Sequence, residues 1–83
     1  MPKKLSNKEI KYLKKLGERI RRARKEKGIT QVIFGEKAKV NHNLIGRIER
    51  GERVVTILQL HKICDVLEID LLELLDFSEK NPS

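Results

Sequence analysis

The residues of this 83-residue chain that are best suited to chemistry lie between positions 41 and 51. At 100° per residue, a helix over this stretch has two different faces. Its apolar face holds Leu44, Ile45 and Ile48. Its polar face holds His42, Asn43, Gly46, Arg47 and Arg50. A helix that buries one face and presents amide, imidazole and guanidinium groups on the other can hydrogen-bond to base edges in the major groove of DNA.

The side chains of the polar face differ in the bases that they can read. Asn43 can make two hydrogen bonds to adenine at N6 and N7, and Arg47 can make two to guanine at O6 and N7. His42 can donate or accept, so its partner base is less defined. Each good bidentate contact discriminates between bases by about 1–3 kcal/mol. Gly46 either lets the helix backbone approach the bases closely or is a weak point in the helix without such a role.

The charge of the chain is polarised along its length. The formal net charge is +7 at pH 7. Residues 1–30 hold 12 Lys or Arg and 3 Glu, whereas residues 57–83 hold 2 Lys and 6 Asp or Glu. A polyanion would therefore approach the N-terminal half. Because basic runs are commonly just solvated faces, the polar helix rather than the charge carries the prediction of DNA binding.

Other classes of protein find no support in the sequence. Cys64 is the only cysteine, no apolar run approaches the ~20 residues of a membrane span, and Lys3 and Lys4 precede no apolar signal-peptide stretch. The two histidines and Cys64 have no metal-ligand spacing, and no catalytic constellation is present. We therefore expect a cytoplasmic protein that is not an enzyme, with no metal, no cofactor and no membrane association.

Helix signals predict an all-α domain of about five helices with short connections. The residues predicted to start helices 1 to 5 are Ser6, Thr30, Asn41, Thr56 and Asp70. Glu or Gln follows three residues after the first, fourth and fifth of these, as in a capping box. Gly28 and Gly51 suit the ends of helices 1 and 3. Gly17 is expected to weaken helix 1 by about 1 kcal/mol relative to Ala.

Several segments agree in register with one known family. They are Leu-Gly-Glu-Arg-Ile-Arg-Arg-Ala-Arg at 16–24, Gly-Ile-Thr-Gln at 28–31, Phe-Gly-Glu-Lys-Ala at 34–38, Ile-Glu-Arg-Gly-Glu-Arg at 48–53, and the closing run 60–75. Over roughly residues 16–76 the chain resembles the helix-turn-helix domain of the phage lambda repressor and Cro class, the XRE family. By size and by its turn at 51–57 it is also similar to the controller proteins of restriction–modification systems.

The resemblance implies a five-helix lambda-repressor-like DNA-binding fold. We divide the chain into a basic N-terminal extension of helix 1 (1–15), the helix-turn-helix domain (16–76) and a polar tail (77–83). The base-reading residues implied by the resemblance are Asn41, His42, Asn43 and Arg47. The resemblance assigns Gln31 to a DNA phosphate and to bracing helix 3, and pairs Arg24 with Glu49 in a partly buried salt bridge. The further phosphate candidates, chosen by charge and position, are Arg19, Arg22, Arg50 and Arg53.

Three sites depart from the family pattern. Gly35 stands where Ala is common in helix 2, and it permits close helix contact at a cost in helix propensity. Lys39 stands where the turn usually has Gly, so a strained or altered turn is expected. Val32 and Ile33 stand where helix 2 is usually polar. They form either a patch for a partner or ordinary scattered apolar surface.

A homodimer is expected because a lone recognition helix covers only a few base pairs. A twofold dimer places two such helices about 34–36 Å apart on one face of the duplex. The predicted interface, helix 5 with the end of helix 4, contains Leu71, Leu72, Leu74, Leu75 and Phe77. The alternative is that all five side chains pack within one subunit.

These features together predict a sequence-specific transcriptional regulator. It would act as a repressor or as a controller of its own gene, and bind a pseudo-palindromic operator in double-stranded DNA as a homodimer. The alternative is a protein-interaction module, such as an antitoxin or adaptor with an unknown protein partner, for which Val32, Ile33 and the acidic C-terminal helices are the motivation. Docking of helix 1 on an anionic membrane would leave residues 30–51 unexplained.

Overall fold

Five helices make up the described part of the chain. The structure is a computed structural model that describes residues 4–77. The helices are α1 (Asn7–Glu26), α2 (Gln31–Ala38), α3 (His42–Glu49), α4 (Ile57–Leu67) and α5 (Leu71–Leu74), and residues 4–77 contain no strand. The predicted all-α, five-helix fold is confirmed. In that same range no helix has the length and apolar character needed to cross a bilayer. Residues 78–83 of the predicted polar tail lie outside the described residues.

The first four helices begin where the capping signals place them, because side-chain oxygens satisfy backbone N–H groups of the first turn. Ser6 Oγ accepts from the backbone N–H of Glu9 at 3.1 Å, and Glu9 Oε1 accepts from that of Ser6 at 2.8 Å. Thr56 and Gln59 form the same reciprocal box, at 3.1 and 3.0 Å. Thr30 Oγ1 accepts a backbone N–H of α2 at 3.1 Å. Each of these contacts is made within three residues of the helix start, so it does not depend on tertiary packing.

The fifth helix begins at the predicted place by a different means. Asp70 is its N-cap residue, but the Asp70 side chain makes no capping hydrogen bond, so the box with Glu73 does not form. Leu74 is 2% exposed and belongs to the core. Since four residues are too few for a stable isolated helix, packing of Leu74 holds this single turn in place.

The helix ends combine glycines with residues under backbone strain. Gly28 and Gly51 have φ of 72° and 73°, the left-handed conformation predicted for them. Lys39 takes the same conformation at the end of α2, with φ of 57° and ψ of 44°, so the strained turn expected from the missing glycine is confirmed. Glu68 does likewise at the end of α4, with φ of 58°, where no sequence signal indicated it.

Lys39→Gly is expected to raise the free energy of unfolding by about 0.5–1 kcal/mol. The left-handed conformation costs a non-glycine residue roughly 1–2 kcal/mol, and the greater freedom of glycine in the unfolded chain offsets about 0.4–1 kcal/mol of the relief. Equilibrium urea denaturation measures the difference. Lys27→Gly is the control for glycine at a C-cap without strain, because Lys27 has a φ of −80°; it also removes the exposed ion pair of Lys27 with Glu68, which contributes at most about 1 kcal/mol. A loss in Lys39→Gly, or an equal gain in both variants, would contradict strain at Lys39.

All five helices contribute side chains to one core. The largest of its fully buried members are Phe34, Ile20, Ile45, Ile48 and Ile63. Cys64 in α4 is also buried. Burial, followed by the nearby charges of Asp65 and Asp70, raises the pKa of the Cys64 thiol. The thiol therefore stays protonated and packs as a small apolar group rather than serving as a nucleophile.

The turn between α2 and α3 is packed through backbone at Gly35. A Cβ added there would lie 2.5 Å from the carbonyl oxygen of Val40 and 3.1 Å from Cα of His42. The close contact that glycine was predicted to permit at this position is confirmed. As a result, the first turn of α3 is held directly against α2.

Candidate nucleic-acid interface

The polar face predicted for α3 is exposed, and its apolar face is buried. Ile45 and Ile48 are 0% and 1% exposed and lie in the core. His42, Asn43 and Arg47 are all exposed. The helix thus offers an imidazole, an amide and a guanidinium to solvent from a backbone that the core fixes on its other side.

Asn41 serves α3 as its N-cap residue. Its Oδ1 accepts the backbone N–H of Asn43 at 2.8 Å. Since that oxygen is engaged in the cap, a base contact by Asn41 would use the amide Nδ2, which can only donate. Asn41 would therefore resemble Arg47 in donating to acceptor atoms of a base, whereas the side chain of Asn43 can also accept.

Gly46 makes room for two side chains of the protein itself. Gly46 is buried, and a Cβ added to it would lie 3.2 Å from Nη1 of Arg50 and 3.4 Å from Oε1 of Gln31. The space above this glycine is therefore filled by those two groups, and Gly46 does not open the α3 backbone to base edges. Its role on the polar face is to let Gln31 and Arg50 lie close to the helix.

A buried ion pair joins α1 to the end of α3. Arg24 Nε donates to Glu49 Oε2 at 2.7 Å and Arg24 Nη2 donates to Oε1 at 3.2 Å, with side-chain exposures of 9% and 2%. Arg24 Nη1 also donates to the carbonyl oxygen of Ile29 at 2.9 Å. Gln31 Nε2 donates to Glu49 Oε1 at 3.0 Å. The carboxylate of Glu49 thus ties α1, α3 and the first residue of α2 together.

The match to known proteins covers most of this arrangement. Residues 20–74, from the middle of α1 to the end of α5, match the protein family described as Helix-turn-helix. The chain belongs to the XRE-type helix-turn-helix family. It is a transcriptional regulator with the DNA-binding fold of that family.

This helix-turn-helix regulator is similar to regulators from three bacteria. It is 40% identical over 58 residues to the uncharacterized HTH-type transcriptional regulator YazB of Bacillus subtilis (strain 168). The aligned residues make up 70% of this chain and 84% of YazB. The crystal structure of the restriction-modification controller protein C.AhdI from Aeromonas hydrophila matches with a TM-score of 0.73 and 32% identity, over 75% of this chain and 94% of that one. The clp gene regulator ClgR from Corynebacterium glutamicum matches with a TM-score of 0.74 and 26% identity, over 89% and 72%. All three are named as regulators and none as an enzyme, in agreement with the predicted class.

The predicted phosphate-binding arginines of the regulator lie in different surroundings. Arg50 is exposed, and its Nε lies 3.2 Å from Oε2 of the exposed Glu52. Arg22 and Arg53 are exposed as well. Arg19 differs from these, because it lies against α5 and is engaged there.

The Arg19 side chain is engaged on the side of α1 that faces α5. Its Nη1 donates to the carbonyl oxygen of Glu73 at 3.0 Å, and its guanidinium lies 5.2 Å from the ring centre of Phe77. Phe77 in turn makes a perpendicular ring contact with Tyr12, with ring centres 4.7 Å apart. Arg19 therefore fastens α5 to α1, and we leave it out of the phosphate-binding set proposed below.

Two basic residues of α1 that are not among the predicted phosphate contacts lie beside α3. Lys14 and Arg21 line the same cleft as Gln31 and Arg50. The signal that could have identified them is their spacing. Lys14 is three residues before Gly17, Arg21 is four residues after it, and Arg24 is three residues after Arg21. At these spacings the four residues share one helix face, which is the face that packs on α3.

The predicted dimer residues divide between the core and the surface. Leu74 is 2% exposed and packs within its own subunit, so it offers no surface to a partner. Leu71, Leu75 and Phe77 are half-buried against the core. Leu72 is 83% exposed. The free apolar surface of this segment is therefore centred on Leu72.

The apolar pair at the start of α2 lies on the surface. Val32 is 47% exposed and Ile33 is 40% exposed. Both reach solvent within one turn of Gln31, so they border the same end of α2 that adjoins the polar face of α3.

Proposed function

We propose that this regulator binds a pseudo-palindromic operator in double-stranded DNA as a homodimer, with α3 of each subunit in the major groove. The observation that carries the proposal is the exposure of His42, Asn43 and Arg47 on a helix whose other face is buried. The base-reading set we propose is Asn41, His42, Asn43 and Arg47, with Arg47 on guanine and Asn43 on adenine. Gln31, Arg22, Arg50 and Arg53 are the proposed phosphate contacts.

The dimer is proposed to form through α5 and the end of α4. The 83% exposure of Leu72, next to the half-buried Leu71, Leu75 and Phe77, supports this proposal, since covering these side chains at an interface would remove apolar surface from water. A twofold interface would present two copies of α3 to one face of the duplex, about one helical turn apart. The likeness to the restriction-modification controller C.AhdI supports a role as a controller protein.

Arg47→Ala is expected to abolish the preference for one base in each half-site and to weaken operator binding. Loss of a bidentate contact costs about 1–3 kcal/mol of discrimination in each half-site. The measurement is selection of binding sites from a random duplex pool at near-physiological salt, performed with the unmodified chain and with the variant. We expect a twofold-symmetric motif for the unmodified chain and the same motif with one guanine position randomised for Arg47→Ala.

Lys62→Ala is the matched control for this selection. Lys62 is an exposed cation on α4, outside the proposed contact set, so its removal lowers the net charge equally without touching α3. The control should select the unmodified motif. A motif that is identical in Arg47→Ala would remove Arg47 from the base-reading set, and an asymmetric motif would contradict the proposed dimer.

Binding of a partner protein is the second candidate function. The exposure of Val32 and Ile33 at the start of α2 favours it, because both are apolar and adjoin a polar surface. The same selection separates the two functions. If no motif is enriched and weak DNA binding disappears as salt rises, the interaction module becomes the better account of the chain.

A further inference from the structure

A cleft of about 630 Å³ lies between α1 and the end of α3. Its lining residues are Lys14, Glu18, Arg21, Gln31, Glu49 and Arg50. Three of them are cations from two different helices, and Gln31 adds an amide from the start of a third. A base edge is recognised by donors and acceptors placed in a fixed order in the plane of the base, whereas phosphodiester oxygens only accept hydrogen bonds. The donors of this cleft are therefore better suited to a phosphodiester.

Two glycines allow α1 to approach α3 this closely. A Cβ added to Gly17 would clash with the carbonyl oxygen of Ile48 and lie 2.5 Å from that of Glu49. A Cβ added to Gly51 would lie 2.6 Å from Cγ and 2.7 Å from Cα of Lys14. The α1 backbone therefore rests on the end of α3, and the basic residues on either side of Gly17 are fixed at the border of that helix.

The carboxylates of the cleft do not cancel its positive charge. Glu49 is held by Arg24 at 2.7 Å and by Gln31 at 3.0 Å, so its charge is already compensated inside the protein. Glu18 is exposed. Within residues 4–77, neither Lys14 nor Arg21 forms an ion pair. The cleft thus presents two cations without a carboxylate partner, beside an Arg50 whose pair with Glu52 is exposed and easily exchanged.

The cleft adjoins the face of α3 that is proposed to read bases. Arg50 and Gln31 lie over Gly46, which is on the same arc as Asn43 and Arg47. When a helix lies in the major groove, the strand at the edge of that groove runs along its flanks. A phosphate of that strand would meet the cleft while α3 contacts the bases.

We infer that Lys14 and Arg21 of α1, together with Arg50, hold a phosphodiester group of the operator in this cleft. The inference rests on the proposed function and adds to it a contact from α1 that lies outside the helix-turn-helix pair. It accounts for the position of two cations of α1 beside the end of α3.

The test is the salt dependence of operator binding by the full chain. Lys14→Met and Arg21→Gln remove one charge each and keep most of the stem, including the Lys14 methylenes that contact Gly51. The matched control is Lys15→Met, which removes the same charge from the exposed residue next to Lys14, 100° around α1, and lies outside the proposed phosphate contacts. The probe is the duplex selected by the unmodified chain, and binding is measured over a series of salt concentrations.

One phosphate in each subunit contributes about 0.9, so the Lys14→Met/Arg21→Gln double variant is expected to reduce the slope of log K against log salt by up to about 2 per dimer. Each single variant should reduce the slope by about half of that. Neither cleft variant should alter the selected motif. The control should change the slope by less than half as much as either single variant. Equal changes in cleft and control variants would overturn the inference in favour of a diffuse basic helix. A lower melting temperature with an unchanged slope would overturn it as well, because it would give Lys14 and Arg21 only a stabilising role at the end of α3.

A second measurement locates the phosphate. Methylphosphonate groups, which are uncharged, are placed one at a time along the selected duplex. We expect one position in each half-site where neutralisation weakens the unmodified chain roughly tenfold but weakens the Lys14→Met/Arg21→Gln double variant far less. If both proteins are equally sensitive at every position, the inference is overturned while the proposed function stands. If the unmodified chain selects no motif, the proposed function fails and the inference fails with it.

Discussion

Glu49→Ala is expected to lower the free energy of unfolding by about 3–5 kcal/mol and to remove operator binding. The substitution leaves the Arg24 guanidinium buried without its carboxylate, and an uncompensated buried charge costs about that much. It also releases Gln31, which donates to the same carboxylate at 3.0 Å. A domain of this size has roughly 4–12 kcal/mol of stability in total, so the loss is a large part of it.

Thermal unfolding and equilibrium urea denaturation measure this loss. At about 4–8 °C for each kcal/mol, the melting temperature should fall by at least about 12 °C. Glu52→Ala is the matched control, because Glu52 is also a glutamate paired with an arginine but has a side-chain exposure of 53%. Its loss should stay below about 1 kcal/mol. An unchanged melting temperature in Glu49→Ala would show that the pair does not hold α1 and α3 together.

The double variant Arg24→Met/Glu49→Leu separates stability from positioning. Apolar groups of similar volume remove both charges, so most of the stability should return. The partner of Gln31 is lost all the same, and the carbonyl of Ile29 loses its donor. We therefore expect a folded protein that binds the operator more weakly than the unmodified chain. Full recovery of binding would mean that Gln31 needs no brace from Glu49.

Local signals were sufficient to predict most helix boundaries from the sequence. The oxygens of Ser6, Thr30 and Thr56 find their N–H partners within three residues, so their effect does not depend on the rest of the fold. The strain at Lys39 was predictable for the same reason, because a turn without glycine must place some other residue at positive φ. The left-handed Glu68 had no such signal, since nothing in its local sequence favours that conformation.

Residues whose roles depend on distant contacts were harder to predict. By sequence Arg19 is equivalent to the other arginines of α1, but in the fold it contacts the carbonyl oxygen of Glu73 and the ring of Phe77. Leu74 could not be distinguished by type from Leu72, although one is in the core and the other is 83% exposed. A helix of four residues has no periodicity long enough to show which face is buried. Lys14 and Arg21 could not be distinguished by charge from the other cations of helix 1, because their nearness to α3 depends on how the two helices pack.

Gly17 illustrates how a tertiary contact can reverse the meaning of a local preference. From propensity alone, Ala at this position would strengthen helix 1 by about 1 kcal/mol. In the fold, however, a Cβ at Gly17 would meet backbone atoms of Ile48 and Glu49 that cannot rotate away. The glycine is therefore required by the packing of α1 on α3.

Gly17→Ala is accordingly expected to destabilise the protein by about 1–3 kcal/mol, even though it improves helix propensity. An extra methyl group in a tight backbone contact forces the two helices apart, and overpacking of this kind costs that amount. Separation of the helices would also displace Lys14 and Arg21 from the end of α3. Equilibrium urea denaturation measures the loss, and a gain in stability would contradict the observed contact.

Gly46→Ala is the matched comparison, because it makes the same change inside another helix next to movable groups. A Cβ at Gly46 would lie 3.2 Å from Nη1 of Arg50 and 3.4 Å from Oε1 of Gln31, both at the ends of flexible side chains. Stability should be unchanged or should rise by up to about 1 kcal/mol through helix propensity. Operator binding should nevertheless weaken, since Arg50 and Gln31 are pushed from their positions beside α3. Opposite effects on stability in the two variants would show that Gly17 is needed for the fold, whereas Gly46 is needed for the surface presented to DNA.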